Sequence, residues 1–221
     1  MINVSLLKEI CETPGVPGHE QKVRELITRE LKGIADNIFT DNMGNLIALK
    51  KGKSSAKKVM AAAHMDEIGF IVHHIDDNGF LRFHPLGGFD PKTLTAQRVV
   101  VHGKKDVIGV MGSKPIHLMT AEERGKNLTL NDYFIDLGMK KSEVIKIVEV
   151  GNVVTREREL IEMGNCVNCK SIDNRVAVFI LIETLRGLKG KNIPYDFYGV
   201  FTVQEEVGIR GAQVAAHHIN A

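Results

Sequence analysis

The middle of the chain has a different sequence pattern from both of its flanks. Between residues 69 and 164, segments such as "GFIVHHID", "GFLRFHP", "QRVVVHGK" and "DVIGVMG" are short, rich in β-branched residues and separated by glycines or polar turns. This pattern is typical of a small β-barrel or β-sandwich. The flanks instead mix amphipathic helices with buried strands. The sequence therefore predicts an α/β domain formed by residues 1–68 and 165–221, interrupted by a β domain over residues 69–164.

The flanks carry readable helix and strand signals. Apolar residues recur at intervals of three and four in the two N-terminal segments, which predicts helices over residues 3–12 and 20–34. Two short strands are expected over residues 37–40 and 45–50, and a buried strand through "KKVMAAAHMD". A long buried helix is expected through "DNRVAVFILIETLRGLK", then a strand ending at Val203 and a helix from about Arg210. Within the β segment, "KSEVIKIVE" predicts one further helix.

Charge and cysteine content restrict the partners and the compartment. The formal net charge is +2 and no long basic block occurs, so neither a nucleic acid nor a membrane surface is an expected partner. The N-terminus lacks a signal-peptide layout, and the three cysteines form no disulfide framework, which favours the reducing cytoplasm. Cys166 and Cys169 form a C-x-x-C pair, and the chain has no second pair of this kind. We therefore expect these two thiols to have no functional role.

A histidine and an aspartate follow the predicted strand "VMAAA". His64 and Asp66 are two residues apart, so on a strand both side chains point to the same face. A metal-binding imidazole commonly donates its other N–H to a carboxylate, which fixes its orientation. The alternative is a surface histidine beside an aspartate.

Three more acidic residues lie at the ends of predicted helices or strands. Asp173 falls at the N-cap or first turn of the long helix, where a plain helix cap is the alternative. Glu205 and Glu206 follow a buried strand, where sites of α/β sheets lie, although a solvated acidic loop is the alternative. Adjacent carboxylates repel each other unless a dication supplies the missing charge. One imidazole and several carboxylates suit zinc, cobalt or manganese, which predicts metal-assisted hydrolysis.

The motifs "AAAHMDEIGF", "KSIDNRV" and "TVQEEVGIRGA" resemble the three central motifs of the M42 family of metallo-aminopeptidases. "PGVPGHE", "DNMGNLIA" and "GFLRFHPLGGFDPKTL" resemble the N-terminal half of that family, so the resemblance covers nearly the whole chain. It implies a three-layer α/β catalytic domain of the aminopeptidase type, incomplete at its C-terminal end, with an inserted PDZ-like β-barrel that mediates dimerisation.

The resemblance also implies a role for each matching residue. His64 would bind the first metal ion, with Asp66 as its hydrogen-bonded partner. Asp173 would bridge two metal ions, and Glu206 would bind the second. Glu205 would be the general base. The cofactors implied are two divalent ions, zinc or cobalt, in the complete protein and one or none in this chain.

Family members are longer than this chain, and two further ligands, an Asp and a His, normally lie beyond Ala221. His217 and His218 lie in a predicted helix and are poor substitutes. The expected substrate is a peptide, and the expected assembly is a homo-oligomer, from dimer to dodecamer. Two alternatives stay open: an endoglucanase-like glycosidase, and a truncated, non-catalytic oligomerisation module. Arg175 is expected to pair with a nearby acid.

Overall fold

The computed structural model describes residues 2–220, apart from the side chains of residues 55 and 56. The chain forms two compact units, one made of Met1–Glu67 and Glu159–Ala221 and the other of Ile68–Arg158. The assignment of catalysis to residues 1–68 and 165–221, and of dimerisation to residues 69–164, stays a prediction.

The helices are α1 (Val4–Glu12), α2 (Gln21–Leu31), α3 (Ala121–Arg124), α4 (Lys141–Val144), α5 (Ile172–Leu188) and α6 (Arg210–Ile219). The strands are β1 (Asn37–Thr40), β2 (Leu46–Lys50), β3 (Ser54–His64), β4 (Gly69–Ile75), β5 (Leu81–Leu86), β6 (Arg98–His102), β7 (Asp106–Ser113), β8 (Tyr133–Asp136), β9 (Val153–Arg156), β10 (Ile161–Met163), β11 (Cys166–Asn168) and β12 (Tyr195–Thr202).

The first unit contains three layers around one sheet. Its strands lie in the order β1-β2-β12-β3, with β12 antiparallel to β2 and parallel to β3. Helices α1, α2 and α5 bury their apolar faces on one side of the sheet, where α5 packs on β3 beside Ala63. Helix α6 covers the other side through Ala215 and Ile219, which pack on Ile47 and Val200. Alternate residues of β2 and β12 therefore face opposite helical layers.

The second unit is a closed barrel with strand order β4-β5-β8-β7-β6-β9. Its interior is filled by fully buried side chains, among them Phe70, Leu81, Val99 and Ile135. The predicted α/β class with a β-barrel is thereby confirmed, and the β-sandwich is excluded for this unit.

In two places the structure differs from the elements predicted from the sequence. The helix expected through "KSEVIKIVE" ends at Val144, and the carbonyl of Ile147 accepts a hydrogen bond from Lys104 instead of continuing a helix. The stretch around Cys166 and Cys169, for which no helix or strand was predicted, forms the antiparallel hairpin β10–β11 just before α5. Cys166 is exposed, Cys169 is half-buried and Cys11 is buried.

Among the helices of residues 2–220, none has the length and apolar character needed to cross a bilayer.

Candidate metal centre

Two parallel strands end side by side in the first unit. In the register of β3 and β12, Thr202 lies opposite His64, the last residue of β3. The residues that follow each strand therefore emerge at the same sheet edge, where sites of α/β proteins form. Asp66 follows β3, while Glu205 and Glu206 follow β12, so the strand pairing alone brings the predicted H-x-D and E-E motifs together.

His64 is buried, and its two ring nitrogens have different surroundings. Nδ1 lies 3.0 Å from the backbone oxygen of Asp66 and 3.4 Å from its Oδ1. Nε2 lies 3.4 Å from Oδ1 of Asp173 and 3.8 Å from Oε2 of Glu205. One nitrogen is thus occupied by Asp66, and the other faces carboxylates from two other segments.

Asp66 is fully buried and connects both motifs. Its Oδ1 accepts a hydrogen bond from the backbone N–H of Glu205 at 3.1 Å, and its Oδ2 accepts one from that of Glu206 at 3.0 Å. Asp66 therefore orients the imidazole of His64 through its backbone oxygen and fixes the backbone of both glutamates through its carboxylate.

The turn that presents the glutamates has an unusual backbone. Gln204 adopts φ 54° in the left-handed region, which costs free energy for a residue with a side chain. Glu20 holds this turn, because its Oε1 accepts hydrogen bonds from the backbone of Gln204 at 3.1 Å and of Gly18 at 2.8 Å. Glu20 is itself buried, and burial raises the pKa of its carboxyl.

Asp173 lies in the first turn of α5 but does not cap it. Its backbone has non-helical angles, φ −80° and ψ 109°, its peptide bond to Asn174 is cis, and the preceding Ser171 is left-handed. The side chain of Asp173 is 92% exposed and directed toward Nε2 of His64. The helix-cap alternative is therefore not what the structure contains.

The pKa values reflect crowded carboxylates around one imidazole. Burial lowers the pKa of His64, but its hydrogen bond with Asp66 and the charges of Asp66 and Glu205 outweigh burial, so the pKa is raised. Burial raises the pKa of Asp66, but hydrogen bonds from His64, Glu206 and Glu205 outweigh it, so this pKa is lowered. For Glu206, burial and the charges of Asp66, Glu205 and Asp173 raise the pKa. A positive ion would relieve this repulsion.

Three of the donor atoms lie close enough together to share one cation. One ligand atom each from His64, Glu205 and Glu206 lies within 4.8 Å of the other two. An imidazole nitrogen with carboxylate oxygens is a donor set that suits zinc and related divalent ions. The arrangement can hold a cation beside a carboxylate that accepts protons.

Sequence reasoning missed several buried polar residues beneath these groups. Glu67, Lys170 and Arg175 are almost completely buried, and Asn45 fixes the end of β12 by accepting a hydrogen bond from the N–H of Val203 at 3.0 Å. The pairing expected for Arg175 holds loosely, since its Nη2 lies 3.9 Å from Oε1 of Glu67. The sequence could have drawn attention to Glu67, because Glu67 directly follows the candidate site residue Asp66.

A cavity of about 540 Å³ lies on the barrel unit. Its lining includes Thr95, Met111 and Ile116. Two charged residues of its wall, Lys114 and Glu123, pair with each other at 2.9 Å. It offers no comparable donor set among the described residues.

Comparison with known proteins gives a consistent result. The family model of M42 glutamyl aminopeptidase matches residues 44–221. The chain is 42% identical over 97% of its length to a protein of Acetivibrio thermocellus described as a candidate aminopeptidase, and 38% identical over 100% of its length to the lysyl aminopeptidase of Pyrococcus furiosus. The TET aminopeptidase of a marine sediment archaeon of the Thaumarchaeota superposes with a TM-score of 0.95, at 35% identity over 98% of this chain.

The chain spans 62%, 64% and 63% of the lengths of these three proteins. The family model nevertheless covers most of the chain, including all five predicted site residues. The chain belongs to the M42 peptidase family.

Proposed function

We propose that this chain is the metal-binding part of an aminopeptidase, which removes N-terminal residues from peptides with the help of divalent cations. The observation that carries the proposal is the convergence on Nε2 of His64: Asp173 at 3.4 Å and Glu205 at 3.8 Å come from separate segments of the chain. Carboxylates held this close together repel each other unless a positive charge compensates them.

His64, Asp173 and Glu206 are the proposed ligands, and zinc or cobalt is the proposed ion. The hydrogen bond from Nδ1 of His64 to the Asp66 backbone oxygen, at 3.0 Å, leaves the lone pair on Nε2, the tautomer that a metal ligand needs. When bound, a divalent ion supplies Lewis-acid chemistry, polarising a peptide carbonyl and lowering the pKa of water. The complete family site holds two such ions, and we extend that number to the whole protein as part of the proposal.

Glu205 is the proposed general base. Its side chain is 36% exposed, so water and substrate can reach it, and its Oε2 faces the imidazole of His64. Its backbone N–H is held by Asp66, which restricts where the carboxylate can move. A carboxylate in this position takes a proton from the attacking water and delivers it to the departing amine.

The proposal includes a homo-oligomer, from dimer to dodecamer, formed through the barrel unit. Exposed apolar side chains on that unit, including Ile108 at 58% and Ile116 at 70%, support it, because a contact with another copy would remove them from water. Sedimentation velocity measures the assembly directly. A monomer at all concentrations would contradict this part of the proposal.

The central test uses the complete protein and compares its chelated form with the form reloaded with zinc or cobalt, with aminoacyl anilides as substrates. Activity should return only with the metal, and identical rates before and after reloading would refute the proposal.

Glu205→Gln should abolish turnover with unchanged metal content, because the amide cannot accept the proton. The matched control, Glu162→Gln on exposed β10, should behave like the wild type.

A glycosidase would behave differently in the same preparations. Glycosidases generally use two carboxylates without a metal, so release of sugar from a β-glucan would resist chelation. That result would favour the endoglucanase-like alternative. A well-defined oligomer without metal or activity would favour the non-catalytic module.

A further inference from the structure

Three charged residues that the proposed reaction does not use are buried next to the metal centre. Glu67 is 1% exposed, Lys170 5% and Arg175 0%. Nζ of Lys170 donates to Oε1 of Glu67 at 2.5 Å, and Nη2 of Arg175 lies 3.9 Å from the same oxygen. Two cations thus share one carboxylate. We call these residues the buried charge cluster.

The buried charge cluster is poorly explained by stability. Desolvating ion pairs costs as much free energy as their attraction returns, or more, so they are weak stabilisers. Oε2 of Glu67 and Nε of Arg175 also lack a hydrogen-bond partner among the described residues. Native proteins rarely leave such atoms unpaired without a reason.

The cluster ties together backbone segments that lie far apart in sequence. Nη1 of Arg175 donates to the carbonyls of Ile10 at 2.6 Å and Thr13 at 3.0 Å. The backbone N–H of Glu67 donates to the carbonyl of Gly15 at 2.9 Å. The end of α1 and the loop after it are therefore held between the residues following β3 and the beginning of α5.

Two of the proposed site carboxylates belong to residues that lie outside regular helix or strand structure. Asp66 lies beyond the last residue of β3, and Asp173 has non-helical backbone angles. The cluster residues are their neighbours in sequence. Glu67 follows Asp66, while Lys170 and Arg175 lie on either side of Asp173. A link between Glu67 and Lys170 therefore connects the segment of Asp66 to the segment of Asp173.

We propose that Lys170 and Glu67 are positioning residues for the metal centre. Their ion pair fixes the spacing between the His64–Asp66 segment and the first turn of α5, and thereby keeps Asp173 beside Nε2 of His64. Neither residue touches the reacting groups. The inference rests on the proposed function, because it assigns these residues to the same cation site.

The test measures cobalt affinity and the cobalt absorption spectrum of the purified chain, in wild type and in Lys170→Met. The variant should bind cobalt about 10- to 100-fold more weakly, as expected for partners that orient ligands. Its spectrum should change, because the ligand geometry changes. The matched control is Lys50→Met, which removes another lysine from an ion pair of the same unit, with Asp36 at 3.2 Å. It should bind cobalt like the wild type.

A second variant separates positioning from folding. Lys170→Met combined with Glu67→Gln removes one positive and one negative charge, so the net charge of the buried charge cluster is unchanged, and Arg175 keeps its hydrogen bonds to the carbonyls of Ile10 and Thr13. This double variant should unfold at a urea concentration close to that of the wild type and still bind cobalt about 10- to 100-fold more weakly. Wild-type affinity and spectrum in a folded double variant would overturn the inference and leave the proposed function standing. A wild-type chain that binds no cobalt would overturn the proposed function, and this inference with it.

Discussion

Replacing Gly211 with alanine tests how tightly α6 is docked behind the two glutamates. Gly211 is the second residue of α6, and its backbone N–H donates to the carbonyl of Val203 at 3.1 Å. A Cβ at this position would lie 2.3 Å from Oδ1 of Asn45 and 2.4 Å from the carbonyl oxygen of Val203. Both distances are shorter than any van der Waals contact, so the helix or Asn45 must move.

The loss of stability expected for Gly211→Ala follows from the hydrogen bonds of Asn45. Its side chain accepts from the N–H of Val203 at 3.0 Å and donates to the carbonyl of Gly211 at 2.9 Å and to Asp41 at 2.7 Å. Losing these three bonds costs about 3 kcal/mol at about 1 kcal/mol each. Alanine returns about 1 kcal/mol through helix propensity. We therefore expect Gly211→Ala to lower the free energy of unfolding by about 2 kcal/mol or more, because overpacking adds to the loss.

Urea unfolding followed by far-ultraviolet circular dichroism measures this effect, since the four longer helices all belong to the first unit. Gly187→Ala is the matched control. This glycine is also helical, and a Cβ there would meet nothing within 4 Å. The control should gain about 0.5–1 kcal/mol. If Gly211→Ala proved as stable as the wild type, the close packing inferred around Asn45 would be wrong.

Three further predictions concern reactivity, packing and pH. Burial raises the pKa of the Cys11 thiol to about 12, so iodoacetamide at neutral pH should label exposed Cys166 well before Cys11; equal labelling by mass spectrometry would contradict this. In urea titrations, Ile182→Ala should cost about 2–5 kcal/mol, whereas Ile180→Ala should change stability by no more than about 0.5 kcal/mol, because Ile182 is buried and Ile180 is 56% exposed; equal losses would argue against this core. A hydrogen bond from a lysine lowers the pKa of Glu123 from 4.5 to about 2, so its stabilising effect is complete above pH 4.5 and disappears as the pH falls toward 2. Glu123→Gln should therefore weaken the loss of stability in that range, and an unchanged acid response would refute the assignment.

The larger elements were predictable because each has a clear hydrophobic period. The periodicity in 20–34 corresponds to α2, and the buried strand before His64 corresponds to β3. The β pattern of residues 69–164 predicted a barrel or a sandwich without deciding between them. Closure depends on which strands pair, and β8 joins β5 to β7 through contacts that no local pattern encodes.

The two differences between the predicted and the observed elements have physical causes. The predicted helix after Lys141 is short because the N–H groups of Lys146 and Ile147 bond to carbonyls three residues back, and the carbonyl of Ile147 then bonds to Lys104, 43 positions away in the chain. The hairpin β10–β11 has strands of three residues each, too short to establish an alternating pattern. In both places a tertiary contact or a turn decides the structure.

The five predicted site residues lie together, although their individual roles stay predictions. Their positions at the ends of buried elements, with two strands parallel, made this convergence predictable. The residues beneath them were not predictable in the same way. Whether Lys170 is a solvated charge or a buried partner of Glu67 depends on the packing of α1 and its loop, and composition does not contain that information.

The pairing of β3 with β12 has a consequence for how the protein matures in the cell. Asp66 and the glutamate whose N–H it holds are separated by 139 positions in the chain. During translation, His64 and Asp66 leave the ribosome long before Glu205 is synthesised, and the whole barrel unit is synthesised between them. A nascent chain therefore presents the imidazole and Asp66 without Asp173 and the two glutamates. Loading of the proposed metal ion would therefore follow the pairing of β3 with β12.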